Sequence, residues 1–198
     1  MSGTSSAAAD GGGAAARVGA SDLAALAAEV LARGGVFQFQ ASGCSMHPVI
    51  QSGESVALAG CRFQALRPGQ IVMARKSSGS VVVHRIVSYS ILDDKPAVVT
   101  MGDNLRTTDE PLTAEEVLGV IVGISIGGRQ ASFSGLSCRI LGRLVAAGGR
   151  RRASLEGKSG WRKWQRRSWT AIRMLLRRLL RLYLYAATTR GAAERPTG

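Results

Sequence analysis

From Val36 to about Phe133 short apolar runs alternate with clusters of turn residues: Ser52-Gly53 before Val56, Pro68-Gly69 before Ile71, Ser77 to Ser80 before Val81, and Asp93 to Pro96 before Val98. Strands recurring at roughly 10 to 15 residues suit an antiparallel barrel or coiled sheet better than a βαβ fold. One helix signal interrupts them, Thr113-Ala114-Glu115-Glu116, which has the form of a capping-box start. Val117 to Ile126 reads as a buried strand, with Arg129 to Phe133 as its hairpin partner across Gly127-Gly128. The expected fold class is mainly β, a small antiparallel coiled sheet or barrel flanked by a short N-terminal helix and a basic C-terminal helix.

The flanks differ in kind from this core. Residues 1 to 20 are mostly Ala, Gly and Ser, which bury too little surface to offset the entropy of ordering, so disorder is expected there. Residues 21 to 34 read as an amphipathic helix capped by Ser21-Asp22 and stopped by Gly34-Gly35. Beyond the domain at 36–133, residues 134–160 read as a basic linker, 161–185 as a basic amphipathic helix and 186–198 as a disordered tail. That helix opens with Trp161, Trp164 and Trp169. Trp161, Trp164, Ile172, Leu175, Leu176, Leu179, Leu182 and Tyr183 fall on one side of it, and Arg162, Lys163, Arg166, Arg167, Arg173, Arg177, Arg178 and Arg181 on the other, while Met174, Leu180, Leu184 and Tyr185 break the pattern.

The net charge of +13 is unevenly spread. Up to residue 130 there are ten Lys/Arg against eleven Asp/Glu, and beyond it sixteen against two, so the basicity belongs to the last third. Three cysteines without metal-ligand spacing suggest neither a disulfide framework nor a zinc site, and fit a reducing compartment. No signal peptide and no membrane-spanning run of ~18 to 20 apolar residues is expected.

Gly43-Cys44-Ser45-Met46-His47-Pro48 stands between the alternating run Val36 to Gln40 and the apolar run Val56 to Leu58, where a tight turn can present a serine to a cleft. Serine attacks only if a base takes its proton, and His84, in Val83-His84-Arg85-Ile86-Val87, is the candidate base. His47 is a weaker rival, and Cys44 is read as a small residue without a role. A carboxylate on the far ring nitrogen would orient the imidazole, and Asp103 and Asp109 both follow Thr100-Met101-Gly102. Taken singly, His84 reads better as a core histidine and Asp103-Asn104 as an ordinary turn.

Taken together, these segments resemble the S24/S26 superfamily of serine peptidases, which holds type I signal peptidases and self-cleaving SOS-type repressors. The Ser45 segment looks like its nucleophile box. Gln51-Ser52-Gly53-Glu54-Ser55-Val56 and Pro68-Gly69-Gln70-Ile71-Val72 look like its two Gly-Asp boxes, and the His84 segment like its base box. Histidine as base, followed by Gly102-Asp103-Asn104 and a second aspartate, is similar to the archaeal and endoplasmic-reticulum type. The resemblance, spanning about Phe37 to Ile126, implies a serine endopeptidase with Ser45 as nucleophile, His84 as general base and Asp109 or Asp103 as orienting acid. No cofactor and no metal are expected.

The acid of both Gly-Asp boxes is replaced, by Glu54 and Gln70, and Gly43 stands where many signal peptidases carry a hydroxyl residue. An oxyanion hole is therefore expected from the backbone N–H groups of Ser45 or Cys44. With no N-terminal membrane anchor, the expected place is the cytoplasm, peripheral at the inner face of the membrane, with a peptide or protein substrate. The tail is read first as a helix on an anionic membrane surface, second as packing on the domain or a partner, and last as a nucleic-acid contact. Two alternatives stand beside the peptidase: a non-catalytic binding or regulatory protein on the same scaffold, and a self-cleaving regulator.

Overall fold

The computed structural model describes residues 19–133, 135–153, 171–172 and 174–186. One antiparallel sheet holds β1 (Val36–Gln40), β2 (Ser55–Ala59), β3 (Ile71–Arg75), β4 (Val81–Leu92), β5 (Lys95–Met101), β6 (Val117–Ile126) and β7 (Arg129–Ser132). Its order is β1-β2-β6-β3-β4-β5, with β7 on β6. Since β1 and β5 end the path without pairing with each other, the sheet is not closed into a barrel. The hairpin across Gly127-Gly128 forms as expected, with Ile126 opposite Arg129.

Three strands are entered through the same turn. Ahead of β2, the Gln51 N–H donates to Glu54 Oε2 at 2.8 Å while the Glu54 N–H donates to the Gln51 carbonyl at 3.2 Å. Ahead of β3, the Arg67 N–H donates to Gln70 Oε1 at 2.7 Å and the Gln70 N–H returns to the Arg67 carbonyl at 3.2 Å. Ahead of β6, the Thr113 N–H donates to Glu116 Oε2 at 2.8 Å and the Glu116 N–H returns to Thr113 O at 3.2 Å. The expected helix at Thr113 is absent because its reciprocal hydrogen bonds close one turn, and the β-branched run from Val117 then extends the chain.

The sheet packs two sizeable apolar clusters and a small third one at Val87, Met101 and Ala146. The larger includes Met46, Ile50, Leu58, Met73, Ile121 and Ile124, and the second Leu66, Val72, Ile86, Val98 and Leu112. Helix α1 (Ala20–Ala32) buries Ala24 and Ala27 and lays Leu23 and Leu31 on the larger cluster. Its stop is as expected: the Gly34 N–H bonds Leu31 O at 2.9 Å and the Gly35 N–H bonds Val30 O at 3.0 Å. Its start is not, since Gly19 occupies the cap, no side chain closes it, and Ser21 and Asp22 lie inside the first turn.

Residues 136–153, expected within a linker, form α2 (Leu136–Ala153). It buries Cys138, Val145 and Ala146, and lies along β4, where Ala146 meets Val87 and Met101. Gly142 permits this approach, because a Cβ there would come within 2.7 Å of the Gly69 carbonyl oxygen. Residues 174–186 form α3, with 171–172 also helical. Leu180 and Leu184 are fully buried in the larger cluster, and Arg181 pairs with the Glu54 carboxylate while its Nη1 donates to Val49 O at 3.2 Å. The tail helix therefore packs on the domain, but through Leu180 and Leu184, which break the expected apolar side, whereas Ile172, Leu175, Leu179, Leu182 and Tyr183 of that side are exposed. The expectations for residues 1–18, for the stretch 154–170 with Trp161 and Trp164, and for 187–198 lie outside the described residues. Among the described residues no helix is long and apolar enough to cross a membrane.

Candidate functional site

Ser45 sits on the loop joining β1 to β2. The base of the loop is closed by the Ala41 N–H to Glu54 O and the Gly53 N–H to Ala41 O, both 2.8 Å, and Met46, Val49 and Ile50 anchor it in the core. The segment after β5 holds it from the other side. The Asn104 N–H donates to Ser45 O at 2.7 Å, and a Cβ on Gly102 would stand 2.8 Å from that same carbonyl. Asn104 thus holds Ser45 through the backbone, and the lack of a side chain at position 102 makes room for that approach.

His84 lies on β4 opposite Val72 and is 4% exposed. Its Nδ1 is 2.6 Å from Asp109 Oδ2. Thr100 Oγ1 donates to the same oxygen at 2.7 Å, Lys76 Nζ donates to Oδ1 at 2.6 Å, and the Asp109 N–H is held by Thr100 O at 2.8 Å. Burial alone would raise the Asp109 pKa. Hydrogen bonds from His84, Lys76 and Thr100, with the charge an imidazolium would carry, outweigh it and lower the carboxyl to about 2. A carboxylate ionised throughout the neutral range accepts from Nδ1–H, so that in a neutral ring the lone pair would lie on Nε2.

Asp103 is elsewhere. Successive strand residues point to opposite faces, so Arg85 leaves the His84 side and takes Asp103 with it. Arg85 Nε donates to Asp103 Oδ1 at 2.9 Å and Nη2 to Oδ2 at 2.6 Å, while Nη1 donates to Gly69 O at 2.6 Å. Arg85 is 2% exposed and Asp103 fully buried. Of the two acids the sequence leaves open, Asp109 stands beside His84 and Asp103 does not.

Ser45 and His84 line one cavity of about 270 Å³, walled by Leu23, Phe39, Met46, Ile50, Met73 and Val83. Among the described residues neither Ser45 Oγ nor His84 Nε2 has a hydrogen-bond partner, so the two are not bonded to each other; nor do the Cys44 and Ser45 N–H groups have an acceptor there. His47 and Cys44 are exposed, and neither lines the cavity. Lys76 and Thr100 escaped the sequence reading, because a lysine in a turn and a threonine in a strand carry no signal until the fold brings Asp109 between them. Among the described residues no group of three or more His, Cys, Asp or Glu could hold a metal. Comparison with protein-family models, with curated proteins and with solved structures gave no match.

Proposed function

We propose that this chain is a serine endopeptidase of signal-peptidase-like type, with Ser45 as nucleophile, His84 as general base and Asp109 as the acid that orients it. The observation that carries the reading is the His84 Nδ1–Asp109 hydrogen bond at a cavity whose wall also holds Ser45. Nε2 takes the Ser45 proton as Oγ attacks the scissile carbonyl, and the imidazolium is stabilised by Asp109. The negative oxygen of the tetrahedral intermediate is met by the N–H groups of Ser45 and Cys44. The imidazolium then protonates the departing amine, and a water deprotonated by the same imidazole releases the acyl group. A gap between Ser45 Oγ and Nε2 before substrate arrives is compatible with this chemistry, since such bonds tighten around substrate.

The sheet supports a peptide substrate. Val81 to His84 pair with β3 on one side, while β5 pairs with β4 only from Arg85 onward, so the other side of this stretch is an open edge beside the cavity. An extended peptide can add there through its backbone and set an apolar side chain among Met46, Met73 and Val83. Incubation with a complex peptide mixture, read by mass spectrometry, tests the proposal. New termini should appear, and Ser45→Ala, His84→Ala and the double variant should each abolish them, since the residues act as a unit. Cleavage unaffected by Ser45→Ala rejects the assignment. The absence of a Ser45–His84 bond favours a second reading, a non-catalytic binding scaffold, in which peptides bind but no new termini form. Cuts confined to the chain's own sequence identify a self-cleaving regulator.

A further inference from the structure

Helix α3 has apolar residues on two opposite sides. One side is spent on the domain: Leu180 and Leu184 are fully buried, and Arg181 is clipped to Glu54 and to the carbonyl of Val49. Ile172, Leu175, Leu179 and Leu182 recur at helical spacing on the other side, a ridge about 15 Å long. They are exposed, Leu175 at 58% and Leu182 at 63%. Arg178, also exposed, stands beside them. Isolated exposed leucines need no explanation, but an ordered apolar ridge on a packed helix marks a surface that something covers.

Charge decides what covers it. From residue 157 to 193 the sequence carries ten Lys/Arg and no Asp or Glu. A second copy of the chain would bring the same cationic stretch of sequence against this one, whereas an anionic lipid surface attracts it and accepts the leucines among its acyl chains. We infer that α3 is a peripheral membrane-docking helix, its Ile172–Leu182 ridge entering an anionic lipid surface while its Leu180/Leu184 side stays on the domain. Arg181 ties the helix to Val49, four residues after Ser45, so docking holds the Ser45 loop near the lipid. The inference does not rest on catalysis, because a catalytically silent chain would dock equally.

The test is sedimentation of the full chain with phosphatidylcholine vesicles, with and without phosphatidylglycerol. Binding is expected only with the anionic lipid, and should weaken several-fold as salt rises from about 0.1 M to about 0.5 M. Leu175→Ser with Leu182→Ser changes exposed residues and no charge. This variant should keep the wild-type unfolding midpoint and bind at least about tenfold more weakly. Equal binding to neutral vesicles, undiminished binding by the folded serine variant, or a preference for RNA or DNA over vesicles would overturn the inference. So would a concentration-dependent dimer that the serine substitutions dissociate while vesicles are ignored.

Discussion

At Asp109 burial and hydrogen bonding oppose one another, and the bonds win. The ordinary carboxyl value of 3.8 falls to about 2, so the folded chain holds this group ionised where the unfolded chain would protonate it. A depressed folded-state value contributes stability above the unfolded pKa that is lost as pH falls through the folded one. With a side chain only 8% exposed, Asp109 should contribute about 2 kcal/mol at neutral pH, lost between about pH 4 and pH 2. Urea unfolding of wild type and Asp109→Asn across that window checks it: the curves should converge at the acid end. Any peptidase activity of Asp109→Asn should fall by about 10³- to 10⁴-fold at neutral pH, because an amide does not enforce the tautomer a carboxylate does. A flat difference in stability from pH 7 to pH 2 would remove Asp109 from the acid response.

The element that recurs is the turn in which a side chain three residues on returns to a backbone N–H, at Gln51/Glu54, Arg67/Gln70 and Thr113/Glu116. Each launches a strand, so Glu54 and Gln70 keep a structural task in the boxes where the resemblance would place aspartate. Gln70→Ala and Glu116→Ala should each cost about 1 kcal/mol, the net value of one hydrogen bond. Circular dichroism of Glu116→Ala should show no loss of helix, since none begins at Thr113. A measurable helical loss would reinstate the capping-box reading.

On the scale of the whole molecule, residues 136–153 and 174–186 return to the sheet and complete its packing. The larger cluster draws Ile50, Leu58 and Met73 from the first half of the chain and Cys138, Leu180 and Leu184 from the last third. Leu180→Ala or Leu184→Ala should therefore cost about 2–5 kcal/mol, the usual range for emptying a buried leucine site, whereas Leu175→Ala should stay within about 0.5 kcal/mol. Denaturant midpoints of the three variants decide which side of α3 faces inward. Equal losses at Leu175 and Leu180 would reject the orientation.

What the sequence determined by itself is what local chemistry can carry: the strands from Val36 to Ser132, the Gly34-Gly35 stop, the Gly127-Gly128 hairpin, and Ser45 and His84 as a pair worth testing. Period-two alternation and turn residues act over a few positions, and so they are legible one segment at a time. Only the tertiary structure separated Asp109 from Asp103, because the choice depends on which face of β4 each acid meets and on Arg85 claiming one of them. Lys76 and Thr100 became visible in the same way, through a carboxylate 33 and 9 residues distant in sequence. The orientation of α3 was likewise beyond periodicity. Apolar residues lie on both sides of that helix, and its inner side is the one on which Leu180 and Leu184 enter a cluster built by residues of the first half of the chain and Arg181 meets Glu54, more than a hundred residues earlier.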